Sequence, residues 1–269
     1  MSLPVTRIGD LSVTRLVVGG NPISGFSHGG AKRDREMLDY FTTENAKALL
    51  RRCEAGGINT AFLRADKHVM RLIREYRNEG GKIQWVAQTA PEMDPFRCID
   101  QAKAFGADAV YIHGGQIDQS FEKEDVESSK KQLDYVRKLG LPVGCASHVP
   151  ANVRRIEEMR WAPDFYMICL YNIPGYRGKL SPTDDEKFVE SDRAKALALF
   201  QGIKVPCFAY KILAAGRRDV RQSFEEVFRA IKPIDGVNVG MYPPAKTRIV
   251  EEDVALVNEF AGLSKMPKK

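Results

Sequence analysis

One unit recurs along this chain of 269 residues: a short apolar stretch, a break at glycine or polar residues, then an amphipathic stretch. The apolar stretches predict strands at Arg15 to Pro22, Ile58 to Leu63, Ile83 to Thr89, Ala109 to His113, Pro142 to Ser147, Asp164 to Tyr171, Val205 to Lys211 and Gly236 to Met241. Helices are expected at Glu44 to Glu54, Lys67 to Asn78, Pro95 to Phe105, Glu122 to Lys138, Ala151 to Arg160, Asp185 to Phe200, Arg218 to Ile231 and Ile249 to Phe260. Short strands that are apolar throughout suit a parallel sheet covered on both faces. A chain of this length with eight such units is expected to close as an α/β (β/α)8 TIM barrel. An open dinucleotide-binding sheet would need fewer strands and a glycine fingerprint, and Gly19-Gly20-Asn21-Pro22-Ile23-Ser24-Gly25 is not GxGxxG. Ahead of the repeat, two short strands around Gly9-Asp10 predict an N-terminal β-hairpin. The expectation is a single domain over 1–269: hairpin 5–15, barrel 16–262, and a flexible tail at 263–269. Residues Ile23 to Thr42, with His28-Gly29-Gly30, read as one long loop, the kind that serves as a lid or binding loop.

With 43% hydrophobic residues the chain can bury a full core. No apolar run reaches the ~20 residues of a membrane helix, and residues 1–10 lack the pattern of a signal peptide. Five scattered cysteines without CxxC spacing read as reduced, buried thiols of a cytoplasmic protein. A net charge of +6 is mild, and no nucleic-acid motif accompanies it; attraction of an anionic substrate or cofactor phosphate is the more economical reading.

A barrel builds its active site from the carboxyl ends of its strands and the loops that follow. That rule selects Asn21 with His28, Arg64 with Asp66 and His68, Gln88 with Glu92, His113, Ser147 with His148, Tyr171 with Asn172, Lys211, and Met241 with Tyr242. All four histidines fall in the set. The glycines after His113 let the backbone turn sharply at a strand end. Tyr176 and Arg177 lie in a loop whose composition suits closure over the mouth.

These residues support several chemistries. His113 and His148, on neighbouring strand ends, are suited to proton transfer near neutral pH. Together with His28 they could also hold a divalent metal, with Glu92 or Asp66 completing the shell, although no HxH or HxxxE spacing backs that. Lys211 at the mouth can form a Schiff base, act as a base or hold an anion. Arg64 has the planar fork of a substrate clamp.

The opening Val5 to Leu16, the segment Gly57-Ile58-Asn59-Thr60-Ala61 and the close from Val239 resemble the aldo-keto reductase superfamily: its hairpin plug, its "GxNxxDTA" segment, and its last strand and helix. That family's reductases carry a catalytic Asp, Tyr, Lys and His. Here the Asp is matched to Asn59, the Tyr to Arg64 and the Lys to Gln88, and only the histidine is kept, as His113. Arginine does not release a proton at neutral pH, and glutamine brings no charge to a neighbour, so the usual proton relay is absent. The resemblance also implies a nicotinamide cradle for NADP, with Ser147, Tyr171 and Asn172 at the ring and Lys246 with Arg248 at the phosphate. Either the cofactor binds without the usual acid, or the cradle holds something else.

The expected function is an aldo-keto-reductase-like enzyme using acid–base chemistry, metal-assisted or not, on a small polar carbonyl or sugar-like substrate. His113, His148, Lys211 and Arg64 would carry it. The alternatives are an NADP-linked oxidoreductase with an atypical site and a non-catalytic ligand-binding barrel.

Overall fold

The computed structural model describes residues 2–173 and 188–266. A two-stranded antiparallel sheet, β1 (Val5–Ile8) and β2 (Leu11–Thr14), comes first. Eight parallel strands then close a barrel: β3 (Leu16–Gly19), β4 (Thr60–Arg64), β5 (Gln84–Gln88), β6 (Ala109–Ile112), β7 (Val143–Ser147), β8 (Phe165–Cys169), β9 (Cys207–Tyr210) and β10 (Gly236–Gly240), with β10 pairing both β9 and β3. The (β/α)8 expectation and its hairpin hold.

Alternation along each strand divides the core in two. Val17, Phe62, Val86, Tyr111, Ala146, Phe165, Met167 and Phe208 point inward, where aromatic rings fill the barrel; Phe62 lies 5.0 Å from Phe208 and 5.8 Å from Tyr111 between ring centroids. Their strand neighbours, such as Leu63, Trp85, Val110 and Ile168, face the helices. Ile8 and Val13 of the hairpin join the inner cluster and plug the bottom. Gly144 is required on β7, because a Cβ there would stand 2.4 Å from the Phe165 ring.

The helices are α1 (Ala31–Tyr40), α2 (Thr43–Ala55), α3 (Lys67–Asn78), α4 (Pro95–Ala104), α5 (Gly114–Glu122), α6 (Val126–Lys138), α7 (Pro150–Glu158), α8 (Glu190–Phe200), α9 (Val220–Ala230) and α10 (Ile249–Phe260). Asp66, Asp94 and Asp219 cap α3, α4 and α9 by accepting from a backbone N–H in the first turn. Two helices depart from expectation. Part of the long loop forms α1, whose buried residue is an aspartate rather than an apolar stripe. The stretch read as a glycine turn after His113 opens α5.

The expected tail also begins too early. Ser264 accepts a hydrogen bond from Arg15 and donates to the Phe228 carbonyl, which fixes it to the barrel bottom; residues 267–269 lie outside those described. All five cysteines are buried free thiols. Among the described residues no helix is long and apolar enough to cross a membrane.

Candidate active site

A cavity of about 820 Å³ opens at the carboxyl ends of the strands, within the range of small-molecule sites. Phe62, Tyr111 and Met167 form its floor, and His113, His148, Tyr210, Lys211 and Arg64 stand on its wall. Gln88, Asn21 and Asn238 add amide groups, and His28 closes in from the loop after β3.

His113 follows β6 and caps α5. Its backbone N–H donates to Thr89 Oγ1, and its ring Nδ1 accepts from the Gly115 N–H at 3.0 Å. An accepting Nδ1 leaves a neutral imidazole protonated at Nε2. Burial, followed by the nearby His148, Arg64 and Lys211, holds its pKa well below the ordinary histidine value.

His148 is fixed in the opposite sense. Its Nδ1 lies 3.1 Å from Asp118 Oδ2, and its backbone N–H donates to the same oxygen. Asp118, 2% exposed on α5, also accepts from Ser147 Oγ and Asn152 Nδ2. A carboxylate serving donors on every side makes His148 Nδ1 the protonated nitrogen and Nε2 the basic one. Burial lowers the His148 pKa, the Asp118 hydrogen bond opposes that, and Lys211 lowers it further. The two rings are 5.9 Å apart between centroids. Gly114 admits this approach, since a Cβ there would meet the His148 ring at 2.8 Å.

Arg64 reaches the cavity with its charge already shared: it pairs with Glu92, lies 3.7 Å from Asp66 and stacks on Phe26. Lys211 Nζ is 2.6 Å from His28 Nε2, with Asn21 Nδ2 3.3 Å from the same nitrogen. Tyr210 donates to the Ser147 carbonyl and meets His148 edge-on.

Several expected site residues lie elsewhere. Asn59 is at the opposite end of the barrel, where its side chain binds Thr14, Thr60 and the Ser12 carbonyl. Counted along the quoted motif, the Asp position falls on Phe62, in the cavity floor. Of the five cradle residues only Lys246 lines the cavity, paired there with Glu252. Ser147 is fully buried with its hydroxyl on Asp118 and the Val149 carbonyl. Tyr171 is fully buried against Phe188, its hydroxyl accepting from Arg193. Asn172 and Arg248 are exposed outside the cavity. The nicotinamide cradle therefore does not fit these residues, and no hydride step is derived from it. His68 is exposed on the first turn of α3, and Met241 packs on Cys53 in the outer core. Tyr176 and Arg177 lie outside the described residues. Among the described residues no three His, Cys, Asp or Glu side chains gather to hold a metal, and His28 sits with Lys211.

Two residues escaped the sequence reading. Asp118 becomes visible only once Ile117 and Phe121 are recognised as one buried helical face. Tyr210 follows from alternation, two residues after the inward Phe208.

Solved structures share this architecture. A protein from Pseudomonas aeruginosa proposed to be an aldo-keto reductase matches with TM-score 0.62 at 16% identity, covering 94% of each chain. An aldo-keto reductase from Bacillus halodurans, in its holo form, gives 0.59 at 11% identity over 98% of both chains. A glycerol dehydrogenase from Gluconobacter oxydans gives 0.51 at 14% identity, covering 100% of this chain and 98% of its own. No protein-family model and no curated protein sequence matches the chain. The class defined is a closed (β/α)8 barrel with a hairpin plug, aldo-keto-reductase-like in fold. Its strand ends carry the neighbouring imidazoles of His113 and His148.

Proposed function

We propose that this barrel catalyses proton transfer next to the carbonyl of a small polar or sugar-like substrate, as isomerases and lyases do. The observation that supports it most is the opposed setting of two neighbouring imidazoles, His113 Nδ1 facing the Gly115 N–H and His148 Nδ1 facing the Asp118 carboxylate. His113 Nε2–H donates to the substrate carbonyl oxygen and stabilises the charge that grows there. His148 Nε2 takes the proton from the adjacent carbon, and Asp118 stabilises the imidazolium that results. Returning the proton to the neighbouring carbon isomerises the substrate; expelling a group from the next carbon makes the reaction an elimination. The amides of Asn21, Gln88 and Asn238 offer donors and acceptors to hydroxyl groups.

The reading is tested by incubating the protein in D2O with trioses to hexoses and following loss of the α-proton signal by NMR. The expected result is exchange that the His148→Gln variant lowers at least about 100-fold. Exchange no faster than in buffer would overturn the reading. Oxidation of NADPH with the same carbonyl panel would support the oxidoreductase alternative, towards which the fold likeness to a glycerol dehydrogenase points. Saturable binding without either reaction would support a non-catalytic barrel.

A further inference from the structure

We propose that Lys211 is a covalent site: its amine condenses with a substrate carbonyl to form an imine, and His28 is its proton relay. The inference rests on the reading of the cavity as a carbonyl site and adds a nucleophile to it.

Lys211, directly after β9, and His28, in the loop after β3, come from strands separated only by β10 yet 183 residues apart in sequence, and they meet at 2.6 Å between Nζ and Nε2. An ammonium group can only donate, so His28 Nε2 is the acceptor and its ring proton is on Nδ1. Such an imidazole is placed to take the ammonium proton. Both residues also hold left-handed backbone, φ +60 at Lys211 and φ +56 at His28, and neither is a glycine. Conformations of this kind persist where surrounding structure enforces them, and they gather at functional sites. At Lys211 the left-handed residue directly follows β9 (which ends at Tyr210), so the chain turns into the mouth there, and both residues line the cavity. Tyr210, whose ring centroid is 5.7 Å from Nζ, and Ile212 bring apolar surface to the amine.

The step balances without a co-reactant. Lys211 Nζ passes a proton to His28 Nε2 and becomes a neutral amine. Its lone pair forms the C–N bond while the carbonyl π pair moves to oxygen, which takes the proton back from His28 to give a carbinolamine. His28 then takes one of the two protons on the cationic nitrogen, which restores its lone pair, and passes it to the hydroxyl; the C–O bond breaks, water leaves, and the lone pair forms the protonated imine C=NH+. The protonated imine is a stronger electron sink than the carbonyl, which eases proton removal from the adjacent carbon by His148.

The test is reductive trapping. The full-length protein is treated with limiting glycolaldehyde and sodium cyanoborohydride, and modification of each lysine is read by peptide mass spectrometry. Lys211 is expected to be modified at least tenfold faster than Lys195 or Lys204 in the same sample, and His28→Gln is expected to remove that advantage with the circular dichroism spectrum unchanged. Modification of Lys211 at the rate of those lysines, or an advantage that survives His28→Gln, overturns the proposal. The His148→Gln variant separates the two readings: it should keep trapping and lose α-proton exchange. Exchange in the wild type without selective trapping would sink the imine alone. Trapping without exchange would sink the proton-transfer reading and leave the covalent site standing.

Discussion

His148 Nδ1 and Asp118 Oδ2 are 3.1 Å apart, brought together across 30 residues of chain by the middle of α5 and the residue that follows β7. The contact fixes which nitrogen of His148 carries its proton, and Asp118 also receives Ser147 and Asn152. Asp118→Asn would keep an acceptor oxygen for the His148 backbone and ring N–H groups but remove the carboxylate charge that the proposed mechanism sets against a His148 imidazolium. The α-proton exchange rate should fall by roughly 100-fold or more. The thermal transition, measured beside it, should show the variant folded. Unchanged exchange in a folded variant would contradict the assignment.

Both active-site imidazoles are held below the ordinary histidine value of 6.5, chiefly by burial. Between the lowered folded pKa and 6.5 the unfolded chain binds more protons than the native one, so stability rises with pH there. Below that window both states are protonated and the contribution is gone. Denaturant titrations from pH 5 to pH 7.5 should show the gain, and His113→Gln should flatten it. A slope of opposite sign would count against buried neutral imidazoles.

How much of this could be read from the sequence depended on the kind of signal. The barrel strands are apolar throughout, and the rule that strand ends meet at one mouth brings His113, His148, Lys211 and Arg64 together from the sequence, as the cavity lining does. Helix α1 was hidden because its buried side chain is Asp34. Helix α5 is hidden because it starts on two glycines, the first of which, Gly114, leaves room for the His148 ring. With α5 missed, Asp118 could not be seen as a partner of a histidine thirty residues later. Tyr171 misled for a local reason: β8 ends at Cys169, and the ring turns away to Phe188 and Arg193. Asn59 resembles an aspartate in residue type, but it precedes β4 at the foot of the barrel, whereas the position counted along the motif is Phe62, midway up the strand.

Asp253 is 2% exposed on α10, and among the described residues its Oδ2 has no hydrogen-bond partner. Burial raises its carboxyl to about 7, against a small opposing effect of Lys246. A raised acid favours the native state at low pH, and that contribution is lost as pH rises through the folded value. Asp253→Asn should therefore raise the melting temperature at pH 8, by on the order of 2 kcal/mol of stability, and change little at pH 4. Equal effects at both values would show that the charge is not the cause.

Asn59 ties the hairpin plug to the foot of β4 through Thr14 and Ser12. Asn59→Ala leaves those groups without their partner and should cost about 1–3 kcal/mol in a denaturant titration. Catalysis per folded molecule should be unchanged, because the residue lies at the opposite end of the barrel from the cavity. A selective loss of turnover would return Asn59 to the active site.

Proton transfer of the proposed kind needs His113 and His148 protonated at different nitrogens. Long-range 1H–15N correlation spectra of the histidine side chains at pH 7.5, assigned with His113→Gln and His148→Gln, report this directly. The prediction is a proton on Nε2 of His113 and on Nδ1 of His148. Matching tautomers on the two rings, or a doubly protonated ring at either, would contradict it.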